Sequence, residues 1–428
     1  MLRKDIYFDD NLFRMTTYKV FITGISGFIG SYLARQLIEA GNEVVGLLRS
    51  RSDGQKPKRL KNMDIIENMH FVRGDITDLT SILSSIQCSE PDLIFHLASQ
   101  SHVPTSFKDP STTFRINCFG TQNVLEAVRL KNSKSKIIFA GSSEEYGLQF
   151  IHKKHYEDMK NKYGVIEPPP KIFPELPIDE GGSFRPMSPY ATSKVYGDYA
   201  FRNYHATYGL NTIVSRAFNV EGAGRGHNFV TSTIIRQLVS IHLEQQNIMR
   251  IGDIQTFRDW SHIEDIVNGY IILAKHANAG SVYVQGSMRT SSVLSYILYS
   301  ISMLGYEVNE IFSINNEQKK VKDPLEEAEL KMGNIRFTSN IVDQMLLSGA
   351  LEFNLDDKGL IIKTNKRDFK LEFDSSKFRP SDVPILLSDV SKLKQLGYCT
   401  KKGIIDIIND QINYYLDPNN REDIMNTN

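Results

Sequence analysis

The stretch Lys19-Val20-Phe21-Ile22-Thr23-Gly24-Ile25-Ser26-Gly27-Phe28-Ile29-Gly30 decides the fold. An apolar run with the composition of a buried strand gives way to glycines at every third position, and a helical pattern follows over 28–40. Glycines are needed at such a junction for three reasons. The chain turns tightly there, its backbone must approach a pyrophosphate, and the helix that follows offers its first N–H groups and partial positive charge to that anion. A strand, a glycine turn and a helix at the start of a βαβ unit point to dinucleotide binding, although the spacing is G-x-x-G-x-x-G. Gly24, Ser26, Gly27, Phe28, Ile29 and Gly30 are therefore candidate cofactor residues.

Working outward, short apolar runs (EVVGLL, MHFVRG, DLIFHLA, SKIIFAG) alternate with helical patterns, one of them near 113–131. That alternation predicts an α/β fold with a doubly wound parallel sheet. TIVSRAF at 212–218 and SVYVQG at 281–286 are expected as later strands of the same sheet. A dinucleotide-binding unit over 16–218 and a smaller, mixed substrate lobe over 219–428 follow, with helices near 229–245, 291–304 and 389–396. Residues 148–183 form an insertion whose charged, aromatic and then proline-rich composition resists helix and central strand alike. It leaves just after Glu144 and returns just before Tyr190, so it is expected to cover the bound substrate or pack on a second subunit. Over 350–375, a turn at 356–359 between alternating runs suggests a hairpin.

Composition narrows the function. Lys and Arg number 50 against 50 Asp and Glu, leaving no net field for a polyanion, and nucleic acid is not expected as a partner. Cys88, Cys118 and Cys399 are scattered without metal-ligand spacing, which argues against a disulfide framework and a structural metal. A reducing, cytoplasmic setting fits. Acidic residues Asp5, Asp9 and Asp10 stand where a signal peptide would be apolar, no unbroken apolar run reaches membrane length, and the ordered part is expected to begin near Met15.

At the end of the second strand, where an acidic residue would bind the ribose hydroxyl of NAD, stand Arg49 and Arg51. Guanidinium groups there suit a 2′-phosphate, so NADP is the expected cofactor. Asp75, in Gly74-Asp75-Ile76 after the third strand, either accepts from the adenine amine or is a turn aspartate. Leu97, Ala98 and Ser99, at the end of the fourth strand, complete the cofactor set. Tyr190 and Lys194 lie four apart, one face of a helix. A phenol near pKa 10 needs a neighbouring ammonium and an oxidised nicotinamide to serve as a base at neutral pH, the role expected of Lys194. After SKIIFAG come Ser142 and Glu144, at a strand's C-terminal end where open α/β sheets place ligands. Ser142 would bind the reacting oxygen and Glu144 would abstract a proton.

Together these residues resemble the extended short-chain dehydrogenase/reductase superfamily of nucleotide-sugar enzymes, over about residues 20–415. The nearest branches are the GDP-mannose 4,6-dehydratases and the GDP-4-keto-6-deoxymannose reductases. Gln100-Ser101-His102-Val103, Arg225-Gly226 with Asn228-Phe229-Val230-Thr231, and Arg258-Asp259-Trp260 are similar to the dehydratase. Ser142-Ser143-Glu144-Glu145-Tyr146-Gly147, Arg216-Ala217-Phe218-Asn219 and Arg379-Pro380-Ser381-Asp382-Val383-Pro384 are as similar to the reductase. The resemblance implies a lyase that oxidises C4 of a GDP-hexose, eliminates water across C5 and C6, and returns the hydride to C6. An NADPH-consuming reductase and a nucleotide-sugar 4-epimerase are the alternatives. It also implies Arg258 and Arg379 on the substrate pyrophosphate, Ser101 and Asn219 near the sugar, Asp382 in the substrate site, and Asn228, Phe229 and Val230 lining the nucleotide slot. A homodimer or homotetramer is expected. The dehydratases carry a basic pair directly after N-F-V-T; here Ser232-Thr233 follow, with Arg236 one helical turn on.

Overall fold

A computed structural model describes residues 17–50, 56–316, 319–379 and 381–420. Arg51 and Met15 fall outside the described residues. Six strands of the N-terminal half, β1 (Lys19–Thr23), β2 (Glu43–Leu48), β3 (His70–Arg73), β4 (Leu93–His96), β5 (Lys136–Ser142) and β6 (Thr212–Ala217), alternate with helices. They join Val282–Gln285 in one parallel sheet, ordered Val282–Gln285, β6, β5, β4, β1, β2, β3. The strand order reverses between the parallel neighbours β1 and β4, the switch point at which ligands collect. The strands are apolar along their length because helices cover both faces. The helices of this half are α1 (Phe28–Glu39), α2 (Lys58–Asn62), α3 (Leu79–Ser89), α4 (Val103–Lys108), α5 (Pro110–Phe114), α6 (Gly120–Leu130), α7 (Lys153–Tyr163) and α8 (Pro189–Tyr208).

The smaller lobe has its own core, in which helices Val230–His242, Val293–Met303 and Ile404–Leu416 pack together. A five-stranded mixed sheet flanks them, ordered Lys320–Lys322, Val308–Ser313, Gly359–Thr364, Phe369–Phe373, Ile248–Ile251. Helix Ile263–His276, by contrast, packs on α1, and its apolar side joins the core of the parallel sheet.

Three expectations change. The hairpin near 350–375 exists, but it pairs Gly359–Thr364 with Phe369–Phe373. Its turn therefore falls at 365–368, while 355–357 form a short 3-10 turn capped by Asn354. Only Ser391–Lys394 of the expected 389–396 helix is helical. The insertion contains α7, started by the His152 ring accepting the His155 N–H at 3.1 Å. Helical charged residues precede the prolines, and the composition of the whole segment masked them.

Candidate active site

The N-cap of α1 is Gly27, and no side chain caps the helix, so its first N–H groups open onto a cleft of about 1320 Å3. Gly24 has φ +76°, and a Cβ there would sit 2.7 Å from the Ala98 nitrogen, so only glycine lets the first turn lie against the end of β4. This bare cradle fits a pyrophosphate. The cleft exceeds the several hundred Å3 that one small ligand fills, and it accommodates a dinucleotide beside a second ligand. Ser26, Phe28, Ile29 and Gly30 line it with Gly24 and Gly27. So do Arg49 at the end of β2, Ile76, and Leu97, Ala98 and Ser99 after β4. Asp75 also faces the cleft, and its Oδ1 accepts from the backbone and hydroxyl of Thr77, both at 2.9 Å, the turn role.

Opposite the cradle, Ser188 starts α8 by accepting the Ala191 N–H at 3.0 Å, with Pro189 in the first turn. Tyr190, Lys194 and Asp198 then fall at four-residue intervals on the buried face. β5 ends at Ser142, whose hydroxyl accepts the Glu144 N–H at 3.2 Å and starts the turn Ser143–Glu145. This turn directs half-buried Glu144 into the cleft and buries Glu145 behind it. Ser142, Glu144, Tyr190 and Lys194 all line the cleft.

Lys194 Nζ donates to the Ala140 carbonyl at 2.7 Å and stands 5.8 Å from the centre of the Tyr190 ring. Burial pulls the ammonium down to about 8, and the Glu145 carboxylate opposes that fall. Burial drives the Tyr190 phenol well above its ordinary value, Glu144 and Glu145 add to the rise, and a Ser142 hydrogen bond and the Arg225 guanidinium oppose it. Burial thus outweighs the lowering expected from neighbouring positive charge. An oxidised nicotinamide held in the cleft would bring the further positive charge that lowers it.

On the substrate side, Ser101, Asn219, Asn228, Phe229, Val230, Arg258, Arg379 and Asp382 line the cleft. Asn219 Oδ1 is buried without a hydrogen-bond partner among the described residues, an acceptor left for a ligand hydroxyl. Arg258 donates to the Val383 carbonyl at 2.7 Å and to Asp382 Oδ1 at 2.8 Å, and Arg379 reaches the same oxygen at 3.1 Å. Asp382 is thus occupied in holding two guanidinium groups and is not an anion ligand. Arg236 does not line the cleft; Thr233 does, because Arg236 lies three residues further along the helix. No residue of 148–183 lines it either. The insertion folds around Arg185, which makes a bidentate ion pair with Glu175 (2.8 and 2.9 Å), so the expected lid is absent.

Three contributors escaped the sequence reading. Arg225 lies 3.4 Å above the Phe229 ring centre beside the cleft. Arg59 ties the glycine turn to the loop after β6 through the Ser26 and Gly224 carbonyls (3.1 and 2.8 Å). Glu145 forms a buried group with Arg216 and Asp198. The first stood inside a quoted motif without a role, and the other two become visible only when distant segments meet.

Two family models match the chain: the NAD dependent epimerase/dehydratase family over residues 20–286, and GDP-mannose 4,6 dehydratase over residues 172–411. A GDP-mannose 4,6-dehydratase of Yersinia enterocolitica is 30% identical over 389 residues, 89% of each chain. One of Vibrio cholerae is 29% identical over 385 residues, again 89% of each. Among solved structures, RMD from Pseudomonas aeruginosa complexed with NADPH superposes with a TM-score of 0.62 at 20% identity, covering 93% of this chain and 99% of that one. The epimerase Mth375 from Methanothermobacter thermautotrophicus gives 0.65 at 20% identity, covering 97% and 96%. A glycine cradle, a Tyr-x-x-x-Lys helix and a strand-end serine with its neighbouring carboxylate thus stand in a chain that belongs to the GDP-mannose 4,6 dehydratase family and to the NAD dependent epimerase/dehydratase family.

Proposed function

We propose that the protein is a nucleotide-sugar 4,6-dehydratase of the GDP-mannose type that uses NADP and forms a 4-keto-6-deoxy sugar nucleotide. The observation that carries this reading is Glu144, a carboxylate directed into the cleft and electrostatically felt by Tyr190, with uncharged Ser143 before it. NADP, when bound, accepts a hydride from C4 and returns it to C6. Tyr190 takes the 4-hydroxyl proton, and Ser142 holds the same oxygen. The new ketone acidifies C5, Glu144 removes that proton, and its carboxyl group then protonates the C6 hydroxyl as it leaves as water; once C6 has gained the hydride, C5 takes a proton from solvent, matching the 4-hydroxyl proton that Tyr190 passes on. With no second acid at Ser143, one carboxylate performs both transfers. Arg258 and Arg379, oriented by Asp382, face the pyrophosphate, and Asn219 faces the sugar. Arg49 supports the choice of NADP because it lines the cleft where NAD enzymes place an acid.

The relatives named above as GDP-mannose 4,6-dehydratases support the substrate, a GDP-hexose. Incubating the protein with GDP-mannose and a catalytic amount of NADP should give a product lighter by one water, seen by mass spectrometry. A product of unchanged mass would indicate a 4-epimerase, and conversion of only a keto sugar with stoichiometric NADPH would indicate the reductase.

A further inference from the structure

The loop 222–229, between the Asn219–Glu221 strand and helix Val230–His242, runs along the cleft and is tied to the glycine cradle. Gly222 and Gly224, at φ +150° and +74°, bend it so that the Ala223 and Gly224 carbonyls face the nucleotide-binding unit. Tyr32 of α1 donates its hydroxyl to the Ala223 carbonyl at 2.9 Å, and Arg59 of α2 spans the Ser26 and Gly224 carbonyls at 3.1 and 2.8 Å. Beside these bonds the Arg225 guanidinium stands between two rings, 5.3 Å from the centre of Phe28, which opens α1, and 3.4 Å from that of Phe229. Buried Glu221 lies 3.6 Å from Arg225 Nε. Further along, the His102 ring at the start of α4 meets Phe229 edge-on, with 5.8 Å between centres. The loop is thus fastened at both ends: to α1 and α2 beside the bare N–H groups that suit a pyrophosphate, and to α4 beside the nucleotide slot.

We propose that residues 222–229 are a strap that holds the bound dinucleotide in the cleft and couples its release to the nucleotide sugar. The proposal rests on the function read above, with the nucleotide of the substrate lying along Asn228, Phe229 and Val230. A dinucleotide on the cradle leaves only after the Tyr32 and Arg59 bonds part, and a nucleotide seated on 228–230 holds the other end of the same loop in place. Each ligand then raises the affinity of the other by the same factor. Retention suits a reaction in which one cofactor molecule is reduced and reoxidised within each turnover and need not exchange. Among the described residues that line the cleft, Arg59 is present and Tyr32 is not. Tyr32 therefore acts on the cofactor only through the strap, as a positioning residue.

NADPH release can be timed by its fluorescence when excess NADP displaces it, with GDP as the probe of the nucleotide slot. Saturating GDP should slow release from the wild type by about fivefold or more. Tyr32→Phe, which keeps the ring, should release NADPH about threefold faster without GDP, and Arg59→Met faster still; in both variants GDP should slow release by less than about twofold. Wild-type release rates in both variants, or a wild type whose release bound GDP leaves unchanged, overturn the proposal. A faster Arg59→Met beside an unchanged Tyr32→Phe also overturns it, because Arg59 then acts on the cofactor directly. A wild type that holds NADPH but binds no GDP by calorimetry overturns the substrate reading instead, and the release rate of Tyr32→Phe without GDP then decides the strap by itself.

Discussion

Glu144 and Tyr190 have separable tasks, and substitution should expose them. Glu144→Gln keeps Tyr190 and Lys194, so oxidation at C4 proceeds, but the C5 base is gone. Absorbance of reduced cofactor should rise on mixing while 4-keto-6-deoxy product falls by roughly 10²-fold or more. Tyr190→Phe should abolish even the absorbance change. Full turnover by Glu144→Gln would remove Glu144 from the mechanism. Arg49 carries the cofactor choice in the same way: the wild type should bind NADP more tightly than NAD, and Arg49→Asp should weaken NADP by about 1–3 kcal/mol, measured by calorimetry, with little change for NAD. Equal affinity of the wild type for both would contradict the assignment.

Each element carries the site through its end, and β4 shows how. His96, its last residue, is fully buried between the Thr23 hydroxyl of β1 (2.8 Å) and the Thr121 hydroxyl of α6 (2.9 Å). Burial, with Lys194 adding to it, pulls His96 down to about 3. In the unfolded chain it titrates near 6.5, so the unfolded state binds more protons between those values, and stability falls as pH drops through that window. Urea unfolding should show about 3 kcal/mol of stability lost from this group between pH 7 and pH 4, and His96→Gln should remove that share of the slope. An identical slope in the variant would show that His96 is not the group responsible.

The same scale explains what the sequence disclosed. Strand β1, its glycine turn and α1 were legible because apolar periodicity and glycine spacing are local, and Tyr190 and Lys194 were legible because helical spacing is local too. The Glu145, Arg216 and Asp198 group was not, since its members come from three elements and meet only after the sheet closes. The cover over the substrate expected of the insertion fails for a related reason. Its ends flank Glu144 and Tyr190 in sequence, yet the Arg185–Glu175 pair folds it onto itself, away from the cleft.

At the scale of the molecule, two cores meet along a cleft, with the cradle on one side and Arg258 and Arg379 on the other. No helix among the described residues is long and apolar enough to cross a membrane. Helix α8 nevertheless leaves Tyr196, Tyr199 and Tyr208 40–52% exposed, and Phe119, just before the neighbouring α6, is 61% exposed. Exposed aromatic rings on these neighbouring elements suit an isologous contact with a second copy. Light scattering should give a dimer or tetramer for the wild type and a smaller species for Phe119→Glu with Tyr199→Glu; a monomeric wild type would rule the contact out. The central claim is that one sugar supplies and recovers its own hydride, and GDP-mannose deuterated at C4 tests it most directly. With catalytic NADP, NMR of the product should show the deuterium at C6 beside a C4 ketone, with no net NADPH consumed. Deuterium that stays at C4, is lost to the cofactor pool, or reaches C6 only as NADPH is consumed would contradict the account.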